Sequence, residues 1–393
     1  MKFIENQVHK IKPHFEKGGK LEKLYWGFEA FETFLFVSDR TANDGVHIKD
    51  GIDLKRTMFT VVVALIPALL FGMWNVGHQH YLAIGELTAL SDGFLDKFIF
   101  GAIKVLPIVV VAYGVGLGIE FAIAMVRNHP VNEGFLVSGM LIPLLMPPTI
   151  PLWMVALATA FAVVLGKEAF GGTGMNILNV ALLARVFIFF AYPTFISGDA
   201  VWVAGEAANF VDGFSGATPL GVAYLGGADA LASAGVHDYS MWSMILGTIP
   251  GSIGETSVIA IGIGALILIV TGIGSWRVIL SVLVGAFLTA SVFSWAGISF
   301  FQGVSPFTHM IMGSMLFAAV FMATDPVTAA QTTQGKWIYG FLIGVFGMII
   351  RALNPAYPEG WMLAILLMNV FAPTIDHFIV QSNIKRRVSR AAL

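Results

Sequence analysis

The chain has 393 residues, of which 57% are hydrophobic and only 12% charged, with a mean hydropathy of +0.81. Soluble domains carry about 25% charged residues, so the two or three soluble domains that the length would suit are excluded. A net charge of −2 with no basic face outside the two ends argues against nucleic acid, and the absence of cysteine excludes disulfides, thiolate zinc sites, cysteine-ligated iron–sulfur clusters and a cysteine nucleophile. With 43 Gly and 32 Phe, the composition suits closely packed helices in lipid, and the expected class is an all-α polytopic membrane protein.

Residues 1–56 hold 10 of the 22 Lys+Arg and 9 of the 24 Asp+Glu, and no apolar run near Met1 is long enough for a signal peptide. Within them, Leu21–Val37 places aromatics at helical spacing with acids between, the pattern of an amphipathic helix lying at a membrane surface. After Arg56 the apolar runs predict about ten spans: Thr57–Trp74, Phe98–Val126, Gly134–Met146, Leu152–Leu165, Ile177–Tyr192, Thr256–Gly272, Val278–Trp295, Pro306–Met322, Trp337–Ile350 and Gly360–Val380. Several are short for a bilayer, as tilted, broken or protein-shielded helices are.

With both termini cytoplasmic, the inner segments hold Arg127, Lys167, Arg277, Lys336, Lys385, Arg386, Arg387 and Arg390 besides the N-terminal cations. The outer segments hold only Lys97, and Lys104, Arg185 and Arg351 fall within spans. That bias sets the expected orientation. It divides the chain into a cytoplasmic lead (1–56), a five-helix half (57–192), an outer loop (193–255), a second half (256–380) and a basic cytoplasmic tail (381–393). The outer loop has no Lys or Arg and six acids. An odd number of spans per half makes the halves inverted. Two echoes agree with this: MPPTIP (146–151) with ATDPVT (323–328), and GMNILNVALLARVF (174–187) with GWMLAILLMNVFAP (360–373).

Few segments carry chemistry. DGFSGATPL (212–220) places a Ser-Gly-Ala-Thr turn on the outer loop. PGSIGETS (250–257) opens the sixth span, where glycines and the hydroxyls of Ser252, Thr256 and Ser257 suit a phosphate; a capping box from Ser252 to Glu255 is the competing reading. FGGTGMNILN (170–179) puts glycines and two asparagines beside a span, to line a cavity, meet a ligand or pack helices. Ionisable residues inside spans are functional candidates by default, which singles out Glu120, Asp325 and Asp376. Such carboxylates, with carbonyls from broken segments, offer the oxygen ligands a hard cation wants. Ordinary ion pairs, Asp325 with Lys336 or Asp376 with Lys385, are the alternative.

Taken with NPAYPEGWMLAIL (354–366), HFEKGGKLEK (14–23) and NIKRR (383–387), these motifs resemble the NqrB family, membrane subunits of Na+-translocating NADH:quinone reductases, over nearly the whole chain. The RnfD subunits of ferredoxin:NAD+ complexes share the turn, but their lead tends to be shorter. The resemblance implies a redox-driven Na+ pump in a bacterial inner membrane. By the same resemblance FMN is expected to be joined to Thr218 by a phosphoester, with Ser215, Gly216, Ser252 and Thr256 around it, and noncovalent riboflavin to lie near Asn176 and Asn179. Quinone (ubiquinone in such enzymes) lies beside Gly116 and Gly118, and ion uptake runs through Glu120, Asp325, Asp376 and Glu29. Electrons would pass from FMN through riboflavin to quinone. One charge moved against 100 mV costs about 2.3 kcal/mol, so a single-electron drop of that voltage can drive about one Na+. The family usually has proline where Val180 stands and paired glycines where Gly116 is followed by Leu117. No dinucleotide-binding fingerprint follows a strand, so partner subunits would supply NADH oxidation, iron–sulfur centres and a second covalent FMN. No catalytic side chain and no resident metal is expected in this chain. A solute channel built on the same repeat would carry no flavin and be colourless.

Overall fold

The computed structural model describes residues 7–8, 10–16, 18–36, 45–46, 54–129, 131, 134–233, 237–298, 301–354 and 360–391, and these form helices and turns only. In chain order the helices are α1 Tyr25–Leu35, α2 Leu54–Ala83, α3 Phe94–Arg127, α4 Phe135–Leu144, α5 Leu152–Gly166, α6 Val180–Ala191, α7 Pro219–Ala232, α8 Met241–Leu246, α9 Val258–Val270, α10 Trp276–Ala296, α11 Pro306–Ile311, α12 Met315–Phe317, α13 Thr333–Leu353 and α14 Trp361–Ala391. Six of them (α2, α3, α5 with the turn after it, α10, α13 and α14) are long and apolar enough to cross a membrane. The protein is a polytopic helical membrane protein.

Every predicted span finds a helix, but their lengths differ for reasons of packing. The first was expected to end at Trp74, yet α2 runs on to Ala83. Asn75, His78 and Gln79 on that extension are buried; Asn75 Nδ2 donates to the Ile249 carbonyl at 3.0 Å. Polar residues end a lipid-facing run but not one that faces protein. The third, fifth and sixth spans are the short helices α4, α6 and α9. The eighth breaks into α11, α12 and a π-helical turn at Ala318–Met322. Lys97, left in an outer segment by the expected span edges, lies in the first turn of α3, fully buried, with its ammonium on the Ala89 carbonyl at 2.5 Å. The N-terminal lead gives α1 as expected, packed on α3 and held by Lys12–Glu32 at 2.9 Å and a Phe15–Phe28 stack.

One continuous core joins the helices before and after the 193–255 segment, from Leu65 and Ile108 through Phe135, Leu144 and Met146 to Phe317, Phe321 and Trp361. A smaller core under the 193–255 segment gathers Leu220, Ala223, Tyr239, Met244 and Ile249 with Phe301 and Met312. Glycine lets the long helices touch backbone to backbone. A methyl group at Gly101 of α3 would lie 1.7 Å from the Met73 carbonyl oxygen of α2, and one at Gly344 of α13 would lie 2.3 Å from that of Val282 on α10. The backbone oxygen cannot swing aside as a side chain would. Gly344→Ala is therefore expected to destabilise by about 1–3 kcal/mol, the usual cost of overpacking. Gly262→Ala on α9, with nothing within 4 Å, should be neutral or slightly stabilising; thermal unfolding of the two variants in one detergent checks the contrast.

Candidate functional site

The Ser-Gly-Ala-Thr turn leads into α7. Thr218 is the N-cap: its backbone is extended (φ −81°, ψ 155°) and its Oγ accepts from the Gly221 N–H at 3.1 Å. Pro219 follows at the first helical position, where its missing N–H costs nothing. Thr218 lines a pocket with Ser252, Glu255, Thr256 and Ser314, so two motifs separated by more than thirty residues in sequence meet there. Gly216 lies against the Asp199 carbonyl oxygen, 2.4 Å from where a Cβ would sit. Ser215 Oγ accepts from the Ala217 N–H at 3.2 Å. Burial holds the His237 imidazole below its ordinary pKa and the Tyr239 phenol above its own; both face this turn.

The capping box from Ser252 to Glu255 does not form. The helix starts later, and Ser257 caps it by accepting from the Ala260 N–H at 3.3 Å. Ser252 and Glu255 instead receive Arg185 of α6, whose Nη1 reaches Ser252 Oγ at 3.2 Å, Glu255 Oε2 at 3.0 Å and the Leu145 carbonyl at 2.6 Å. Arg185, Glu255 and Ser252 are all buried.

A second cavity opens at the start of α6. Asn176, Asn179 and Asp325 line it together with Lys167, Ser138, Phe321 and Thr324. The loop before it turns through Gly171, Gly172 and Gly174 at φ +117°, +96° and +90°, a conformation that favours glycine. Asn176 donates to the Leu178 carbonyl at 3.1 Å. Asn179 does two jobs. Its Oδ1 caps α6 by accepting from Ala181 N–H and Leu182 N–H at 3.1 and 3.2 Å, and its Nδ2 donates to Asp325 Oδ2 at 3.3 Å. Asp325 also accepts from Val327 N–H and Thr328 Oγ, both at 3.0 Å. Behind it, with the Asn369 amide nitrogen toward Tyr339 Oη at 2.7 Å, the amide oxygen accepts from the Asn179 N–H at 3.1 Å.

The other expected residues are placed as follows. Glu120 is buried and ion-paired with Lys167, which itself lines the cleft. Asp376 stands apart: it takes Thr332 Oγ and N–H at 2.6 and 3.0 Å and the Gln331 N–H at 2.6 Å, bracing the start of α13. Neither expected Lys336 nor Lys385 pairs with an acid among the described residues. Gly116 and Gly118 separate. The Phe135 ring fills the space over Gly116, 1.9 Å from where a Cβ would sit, whereas Gly118 faces open space, so one flat ring cannot lie on both. Glu29 is buried on α1. Lys167, Arg185, Tyr339 and Asn369 were not named as site residues from sequence. The signal for Arg185 was present as a charge inside a span; its partners lay forty and seventy residues away.

A multi-span helical protein with a hydroxyl-lined pocket and an amide–carboxylate cleft is thereby defined. The chain belongs to the NQR2, RnfD, RnfE family, which matches residues 41–385. It is similar to the NqrB subunit of the Na(+)-translocating NADH-quinone reductase of Chromohalobacter salexigens, 47% identical across 99% of this chain and 97% of that one. The corresponding subunits of Stutzerimonas stutzeri and Pseudomonas aeruginosa are 47% and 45% identical, each over 98% of this chain and 98% and 99% of their own.

Arg185→Met removes the partner of a buried carboxylate and of the Leu145 carbonyl. Breaking such a pair costs about 3–5 kcal/mol, whereas the double change with Glu255→Met leaves no lone charge. The double variant should unfold at the higher temperature of the two; the single variant being the more stable would show that the pair is not what holds this junction.

Proposed function

We propose that the chain is the NqrB subunit of a Na+-translocating NADH:quinone reductase, a redox-driven sodium pump, with one flavin attached at Thr218 and another held at the Asn176–Asn179 cleft. Membership of the family and 45–47% identity along almost the full chain support the activity. The observation that carries the site reading is the meeting of Thr218 with Ser252 and Thr256 in one pocket. A phosphate on Thr218 would find hydroxyl donors there, and Glu255, the acid among the residues lining the pocket, is paired with Arg185. The cleft offers a flat ring an Asn176 amide, the Phe321 ring and apolar walls. Flavins bound at these places would supply one- and two-electron transfer, their position and potential set by the protein.

The remaining roles belong to side chains. Asp325 presents a carboxylate to the cleft through neutral donors alone among the described residues, which suits a Na+ taken up there. Glu120 acts with Lys167 as a pair, so its influence on an ion in the cleft runs through the Lys167 ammonium. Quinone has one open glycine, Gly118, on α3, the helix on which α1 packs. The other subunits of the complex bring NADH oxidation, iron–sulfur centres and further flavin. Two inverted halves are supported by packing: α3 lies on α5 in one and α10 on α13 in the other, and each half has its break at the third segment.

Thr218→Ala should leave a chain that assembles normally but shows no added flavin mass or fluorescence when denatured; added FMN on that variant would overturn the assignment. Orientation is tested separately and cleanly because the chain has no cysteine. Ser233→Cys in the 193–255 segment and Ser389→Cys near the C-terminus are both at exposed positions. An impermeant thiol reagent on intact bacterial cells stripped of their outer membrane should label the first and not the second.

A further inference from the structure

Thr218 is preceded by a stretch without helix or strand: residues 211–217 are turn and extended chain. A hydroxyl offered for covalent attachment must nevertheless stand in a defined place. Part of that definition is local, from Ser215 Oγ on the Ala217 N–H and Gly221 N–H on Thr218 Oγ. The rest comes from about twenty residues further along. His237 Nε2–H donates to the Ser215 carbonyl at 2.7 Å, and Tyr239 Oη donates to the Ala217 carbonyl at 2.5 Å.

These two carbonyls flank Gly216, the residue laid against Asp199. Both side chains are buried, and their rings stack at 5.5 Å and 17° to form one plate, against which Phe214 leans at 5.0 Å. Asp238 between them faces outward. It steadies α8 instead, taking Ser240 N–H at 2.9 Å and Ser243 Oγ at 2.6 Å. The alternation in, out, in is that of extended chain. It gives the 237–239 segment a row of two donors matched to two carbonyls of the turn. Neither side chain lines the Thr218 pocket.

We propose that His237 and Tyr239 are positioning residues for modification at Thr218, so that the attachment signal has two parts: the Ser-Gly-Ala-Thr turn and a His-x-Tyr clamp behind it. This rests on the reading of Thr218 as the attachment point. Attachment involves no oxidation. Thr218 Oγ forms a bond to the flavin phosphorus of a flavin phosphoanhydride donor, the anhydride P–O bond breaks, the nucleotide leaves with the electron pair, and the hydroxyl proton passes to solvent. The clamp fixes the backbone on which that oxygen is carried; it takes no part in the bond changes.

The test is a time course of covalent flavin per chain, read by fluorescence of denatured protein and by peptide mass, on the full complex expressed in a host that flavinylates it. Tyr239→Phe keeps the ring and loses the donor; His237→Phe does the same for the second carbonyl. Each should slow attachment roughly threefold to tenfold, the effect of one lost hydrogen bond on presentation of a group, while the chain still assembles with its partner subunits. Asp238→Asn, on the same loop with its side chain turned away, should attach flavin at the wild-type rate. Wild-type rates in both ring variants would overturn the clamp, and so would equal slowing in Asp238→Asn, which would trace the effect to loop integrity alone. A wild-type chain flavinylated elsewhere, or not at all, would instead overturn the reading of Thr218 itself.

Discussion

A helix that stops inside a bilayer exposes carbonyl groups that lipid cannot hydrogen-bond, and each one left bare costs several kcal/mol. This protein ends two helices among buried residues, where water is equally out of reach, and the partners it brings to the breaks organise what surrounds them. At the end of α4, the Leu144, Leu145 and Met146 carbonyls accept from Gly254 N–H, the Arg185 guanidinium and Ile253 N–H. At the end of α11, the His309 and Met312 carbonyls accept from Arg351 at 2.9 and 3.0 Å. Both arginines are buried. A planar group with several donors serves a broken helix better than a lysine could, and Arg185 leaves the sequence with the signature of a charge in mid-span.

The first of these repairs also builds the Thr218 pocket. Gly254 and Ile253 can reach the end of α4 only if the PGSIGETS segment crosses beneath it, and that crossing sets Ser252, Glu255 and Thr256 opposite Thr218. The segment before α9 thus closes the break at the end of α4, and the pocket is the space left where they join. The start of α6 works by the same logic from the other polarity. Its free N–H groups are satisfied by Asn179, and the spare amide of Asn179 is what ties the start of α6 to Asp325. The cleft exists because a helix begins there.

Hydropathy made the spans legible, including the short ones, because apolar runs report burial whether the neighbour is lipid or protein. It could not show where a polar run stays helical, as α2 does through Asn75–Gln79, since that depends on a partner more than a hundred residues away. The cap of α9 was misplaced for a local reason. Ser252 and Glu255 have capping-box spacing, but Ser257 stands directly before the apolar run and accepts the helix N–H, freeing the earlier pair for Arg185. Gly116 was read as room for a ligand because sequence cannot show the ring of Phe135 that fills it. The structure sets Thr218 beside Ser252 and Thr256 in one pocket, whereas the clamp of His237 and Tyr239 gave no signal beyond two ordinary loop residues.

The acids picked out for lying within spans divide by the company they keep, and the division bears on which can respond to an ion. Glu120 has Lys167, so its charge is already offset within the protein. Asp376 is only half-buried and spends its oxygens on the start of α13. Asp325, like Asp376, is served by amide and hydroxyl donors with no cation paired to it among the described residues, but Asp325 is the one that lines the cleft. Hydrogen bonds stabilise a carboxylate but do not cancel its charge, and an uncompensated charge in a low-dielectric interior draws in a counter-ion or a proton. Lys167 stands on the same cleft with its own charge held by Glu120. One cleft thus brings together a carboxyl group with no paired cation and an ammonium already held by Glu120, and it is on this contrast that the proposed ion site rests.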